Sequence, residues 1–184
     1  CLSRGLGDVY KRQLKSYALT YLQEEIKSEQ IVRNLRPFRK FIEIAAQLNS
    51  EPINFSKISR QVGSDYKTIQ SYYQILEETL VGFFLEAYEK SVKKQIRMSP
   101  KFYFFDIGVA RVLNDMNLPP LEKGSYGYGK TFEHLCILEV YRQNQYKNTN
   151  YKLSYLRTKE QKEVDIILEQ GKSPPTVSYT HLRA

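Results

Sequence analysis

The chain has 184 residues, 41% of them hydrophobic, enough to bury the core of one domain or of two small ones. A formal charge of +8 favours an anionic partner, and two cysteines, Cys1 and Cys136, exclude a disulfide framework and fit a reducing cytoplasm. No apolar run approaches the ~18 residues of a membrane span and no secretory stretch opens the chain, so no membrane partner is expected.

Residues 1–13 and the tail from Ser173 look like translated adapter sequence and do not enter the fold reasoning. Removing Arg4, Asp8, Lys11 and Arg12 lowers the formal charge by two, and Arg183 by one, to +5. The native protein is then expected to continue in both directions. Tyr17, Leu19, Tyr21, Leu22 and Ile26 give an approximate helical stripe over 14–31. Pro37 interrupts the chain. A second helix is predicted over 38–48, where Phe38, Phe41, Ile42, Ala45 and Leu48 recur three and four apart. After a turn at 49–54, residues 55–62 predict a short helix packing Phe55, Ile58 and Val62. Gly63-Ser64-Asp65 breaks it and offers Ser64 or Asp65 as the cap of a longer helix, 66–79, which buries Ile69, Tyr72 or Tyr73, and Leu76. Short helix, glycine turn, longer helix is the helix-turn-helix order. Two strands follow, 81–88 and 102–106, joined by a basic stretch at 89–98. Helices followed by a basic hairpin predict a winged helix, closed by a short helix over 106–115.

Residues 117–129, rich in Pro, Gly and Tyr, predict a linker, and 130–145 a helix with Phe132, Leu135, Cys136, Leu138 and Val140 apolar. Cys136 reads as a small core residue. The run 153–168 then gives strand, polar loop, strand. Side chains two apart on a strand share a face, so Glu163 and Asp165 project together while Val164, Ile166 and Leu168 enter a core. Carboxylates fixed at the edge of a buried strand suit a hard divalent cation. The expected fold class is α+β, with a mainly helical winged helix-turn-helix domain over 37–118 and an α/β piece of one helix and two strands over 119–172.

Gly124-Ser-Tyr-Gly-Tyr-Gly-Lys-Thr131 satisfies the phosphate-loop pattern G-x-x-x-x-G-K-[ST]. A phosphate loop must follow a buried strand, and Leu118-Pro-Pro-Leu-Glu-Lys123 is a poor one because proline cannot donate to a ladder. The segment is expected to be a glycine-rich linker entering a helix.

The order of motifs resembles the C-terminal region of a family of prokaryotic AAA-type P-loop ATPases over about residues 14–172. Tyr17-Ala-Leu-Thr-Tyr-Leu-Gln-Glu-Glu25 is similar to the family's Y-x-x-T-Y-L-E segment, and Ser99-Pro-Lys-Phe-Tyr-Phe-Phe-Asp-Ile-Gly108 to its S-P-K-x-Y-F-x-D-x-G motif. Gly129-Lys-Thr-Phe-Glu133, Tyr155-Leu-Arg-Thr158 and Glu163-Val-Asp165 resemble its G-x-x-F-E, Y-x-R-T and E-V-D elements. The resemblance implies that 14–36 ends an ATPase domain whose ATP site lies upstream. It also implies that the piece over 119–172 is a truncated restriction-endonuclease-like domain of the PD-(D/E)xK type. Carried across, Glu133 is the helix acid and Asp165 the strand acid around magnesium, with Glu163 beside them. The (D/E)-x-K strand should follow Gln170-Gly171-Lys172 and is not in the sequence from Ser173 onward.

Other readings stay open at each site residue. Glu163 and Asp165 also fit a solvated strand end, and Glu133 a first-turn acid favoured by the helix dipole. Arg157 either meets phosphate or pairs with Glu163 across the hairpin. His134 has no spaced Cys or His partner that would make it a metal ligand. Lys67, Gln70 and Ser71 occupy the early face of the recognition helix, where base edges are met. Lys90, Lys93, Lys94 and Arg97 would hold phosphates from the wing. The expectation is the C-terminal DNA-binding or interaction region of an AAA-type ATPase. No activity and no cofactor are expected in this fragment; Mg2+ is assigned to the full-length parent. One alternative is docking onto a protein partner or a second copy. The other is a parent that is a metal-dependent nuclease.

Overall fold

A computed structural model of the chain describes residues 13, 16, 20, 35–89, 98–114, 121–158, 162–171 and 175–178. The described residues form a mixed α/β structure, consistent with an α+β class, with five helices and a five-stranded sheet. In chain order these are α1 (Leu35–Gln47), α2 (Phe55–Val62), α3 (Tyr66–Glu78), β1 (Gly82–Ala87), β2 (Lys101–Phe104), α4 (Ile107–Asn114), α5 (Tyr126–Tyr146), β3 (Lys152–Arg157), β4 (Glu163–Glu169) and β5 (Thr176–Ser178). The helix expected over 14–31 lies outside the described residues, apart from Ser16 and Thr20.

The chain folds into two units. The first gathers the four shorter helices from Asn54–Phe83, Phe104–Pro119 and the segment before Ser50. Its core is aromatic. Phe38 meets Tyr72 edge-on at 5.0 Å, and Phe41 meets Tyr73 edge-on at 4.8 Å, so both tyrosines are buried where the sequence pattern needed only one. Pro37 does not interrupt α1 but sits in its first turn, where a missing N–H costs no helical bond. Gly63 ends α2 in the left-handed region at φ 79°, and Asp65 caps α3 by accepting from the Thr68 N–H at 2.9 Å. The predicted helix-turn-helix order is therefore present as local structure.

The second unit holds the sheet and α5, and its composition departs from the expected boundary at 118. It takes in Ser50–Ile53, Phe84–Tyr103 and everything from Pro120. Most of β1 and β2 thus belongs with the later strands, not with a wing on the helical unit. The strand order is β2-β1-β3-β4-β5. β1 runs parallel to β3, with Ala87 opposite Tyr155, and β3–β4 and β4–β5 are antiparallel. The segment from Ser173, expected to lie outside the fold, supplies β5, so this unit has more than the predicted two strands.

The β3–β4 ladder contains an irregularity that sequence alternation does not foresee. Ser154 faces Ile167 and Leu156 faces Val164. Between those pairs β3 places one residue, Tyr155, against two of β4, Asp165 and Ile166. Such a bulge bends the strand and re-aims side chains. It accounts for Asp165, Ile166 and Ile167 all being buried in succession, while Val164 and Leu168, expected in the core, are half-buried.

Candidate functional site

One end of the sheet unit collects the ionisable side chains. α5 begins at Tyr126 because Ser125 caps it, accepting from the Tyr128 N–H at 3.1 Å. The helix therefore starts four residues earlier than its apolar pattern indicated. Glu133 lies two turns inside it, beyond reach of the dipole at the first turn, so the helix-dipole explanation for this acid falls. β4 delivers Glu163 and Asp165 from its first turn of pleat. The carboxylates of Glu133, Glu163 and Asp165 converge, with one oxygen of each within 4.8 Å of the others. Asp165 is 3% exposed, which overturns the solvated strand end as its description.

The fourth member is Lys101, which the sequence reading quoted within a motif but gave no role. β2 presents it between Pro100 and the buried run Phe102-Tyr103-Phe104, and its side chain is only 3% exposed. Its ammonium donates to Glu163 Oε1 and lies 3.7 Å from Glu133 Oε1. It also sits 5.1 Å from the centre of the Tyr155 ring, whose hydroxyl donates to the Ser99 carbonyl at 2.5 Å. The available signal was the anomaly itself: a lysine embedded in a fully buried strand must have anionic partners.

Burial raises the Glu133 carboxyl above the usual range. Lys101 opposes that shift, while Asp165 and Glu163 add to it. The Tyr103 hydroxyl, 3.4 Å from Glu133 Oε1, is pushed well above its ordinary value by burial and then by the three carboxylates. Tyr155 is pushed up to about 12, again chiefly by burial. Burial also pushes the Cys136 thiol up, with Asp165 and Glu133 contributing, so Cys136 is poorly suited to act as a thiolate nucleophile. His134 is 2% exposed and packs against the Tyr103 ring at 5.3 Å, and it is not one of the three clustered acids.

Arg157 stands opposite Glu163 in the ladder, with Nε 3.8 Å from Glu163 Oε2. Of its two readings, the cross-strand pair is the one seen. The phosphate-loop lookalike is helical from Tyr126 onward. Gly129 donates its N–H to the Ser125 carbonyl at 3.1 Å, so that group is committed within the helix, and Lys130 pairs with Glu51. That backbone cannot cradle phosphate. On α3, Lys67 and Ser71 are exposed and Gln70 is half-buried beside the Tyr66 hydroxyl. Lys90, Lys93, Lys94 and Arg97 lie outside the described residues.

No curated protein and no solved structure matches the chain. Two family profiles do. One, described as a domain of unknown function (DUF4143), matches residues 128–176, which spans Glu133, Glu163, Asp165 and the start of β5. The other, also described as a domain of unknown function (DUF8612), matches residues 7–119. Together they take in residues 7–13 and 173–176, which the sequence analysis had set aside as extraneous. The DUF8612 match covers more than half of the 184 residues and includes Lys101, and the chain belongs to that family.

Proposed function

We propose that this chain is a nucleic-acid-handling region of an AAA-type ATPase, in which the sheet unit is restriction-endonuclease-like and its acid cluster holds a divalent cation. The observation that carries this reading is the convergence of Glu133 from α5 with Glu163 and Asp165 from β4. The element order supports it too: a helix bearing one acid precedes three antiparallel strands, and the second of these strands bears the others. The donor set fits a hard cation, since Mg2+ or Mn2+ prefers carboxylate oxygens and three of them lie within 4.8 Å of one another, close enough to converge on one ion after small side-chain movements. A bound divalent cation supplies positive charge that draws phosphate oxygens to the site. In this reading Asp165, held by the bulged strand and buried, fixes the position, Glu163 and Glu133 close around it, and Arg157 at the exposed rim pairs with Glu163. β5 offers Thr176-Val-Ser178 and no (D/E)-x-K, so the activity proposed is binding rather than cleavage.

Thermal unfolding with and without Mg2+ tests the cation. At a hundredfold excess over Kd, the wild-type chain should gain about 2.7 kcal/mol of stability, with a matching rise in Tm. Asp165→Asn should fold and show no such gain. An equal response in the two proteins, or none in either, would remove the metal from this reading.

The second reading, docking onto a protein partner, is favoured by the helical unit's surface. α3 carries one cation, Lys67, against Glu77 and Glu78, while Tyr66 and Leu80 are 45% and 76% exposed.

A further inference from the structure

Lys101 lies in the acid cluster without being a natural part of a cation site. It starts on β2, passes over the ring of Tyr155 on β3, and ends on Glu163 at the start of β4, three strands away in the sheet order. Its side chain is nearly sealed from solvent, and its ammonium reaches two of the three carboxylates that would ligate a metal. A buried ammonium is held only where anions compensate its lost hydration. An ammonium and a divalent ion sharing the same carboxylate oxygens also repel each other strongly in a partly buried site.

We infer that Lys101 is a tethered resident cation: it offsets part of the cluster's negative charge in the metal-free chain, and a divalent ion must displace it from Glu163 to bind. This inference rests on the proposed cation site and adds its regulation. Lys101 then sets the affinity of the site and makes metal loading a local rearrangement, in which the lysine side chain leaves its seat over Tyr155. Tyr155 is the positioning residue, since its ring lies under the lysine ammonium and its hydroxyl is anchored on the Ser99 carbonyl.

The test is calorimetric titration of the whole chain with Mn2+, comparing wild type with Lys101→Met. Removing the competing charge should tighten Mn2+ binding by roughly tenfold or more. It should also make the fold depend on Mn2+ for its full Tm, because Glu163 and Glu133 are left without their ammonium. Equal or weaker Mn2+ binding by Lys101→Met would overturn the inference while leaving the cation site intact. Absence of Mn2+ binding in both proteins would overturn the site and the inference together. Should Lys101→Met fail to fold without metal, the wild-type chain carries the test. With lysines labelled at the ε-carbon, and the Lys101 resonance identified by its loss in Lys101→Arg, saturating Mg2+ should move that resonance towards the position of solvent-exposed lysines. A Lys101 signal that stays fixed while Mg2+ binds would equally refute displacement.

Discussion

Glu133 shows how a single side chain can carry a pH signature. Its carboxyl is raised chiefly by burial, with the neighbouring acids adding to the effect, so the folded chain holds a proton that the unfolded chain releases. The sign follows. The contribution is fully present below the ordinary value of 4.5 and is lost as pH rises through the elevated folded value. Removing the ionisable group should therefore help most at neutral pH. We expect the Tm of Glu133→Gln, measured without divalent ions, to rise relative to wild type between pH 4.5 and 7.5. A difference that stays flat or shrinks would mean that Lys101 outweighs burial at this position. The three acids were legible because strand alternation pairs Glu163 with Asp165 and the motif resemblance adds Glu133. Lys101 was not, because no periodicity connects residues 62 apart in sequence and only the folded sheet brings them together.

At the level of elements, chemistry that acts over three or four residues was the readable part. The Gly63-Ser64-Asp65 break, its cap and the flanking helices follow from rules of that range. Gly63 gives a clean check. Its φ of 79° disfavours any side chain, yet a Cβ built there meets nothing within 4 Å. Gly63→Ala should thus cost about 1 kcal/mol through backbone conformation alone. Urea unfolding should show a lower midpoint with an unchanged slope, and Gly63→Asn should recover part of the loss. A neutral Gly63→Ala would mean that the turn relaxes to another conformation. The bulge at Asp165 and Ile166 was hidden because alternation assumes one partner per residue. β5 was missed because the tail from Ser173 was set aside as adapter sequence, and Thr176 to Ser178 are too few to show a pattern that would have argued otherwise; α5 was read short because its first turns contain Gly127 and Gly129.

For the whole molecule, the division into units is interleaved along the chain. Residues 84–89 and 98–103 sit between α3 and α4 in sequence but belong to the sheet unit, together with α5 and the later strands. A reading that assigns consecutive residues to consecutive domains cannot find this, and it turned β1 and β2 into a wing. If the chain handles nucleic acid, binding should weaken steeply with salt, and replacing Lys93, Lys94 and Arg97 with Glu should abolish it. Gel-shift titrations at two salt concentrations check this. Salt-independent binding, or no DNA shift alongside retained capture of a protein partner, would favour the docking reading.

The sealing of Lys101 has a practical consequence. Amines accessible to water react readily with acylating or reductively methylating reagents, whereas one with 3% of its side chain exposed is shielded for as long as the sheet is closed. In metal-free protein, mass spectrometry of a briefly labelled sample would then read the modification at this one position as the fraction of molecules whose sheet has opened. The chain therefore carries its own chemical gauge of native integrity.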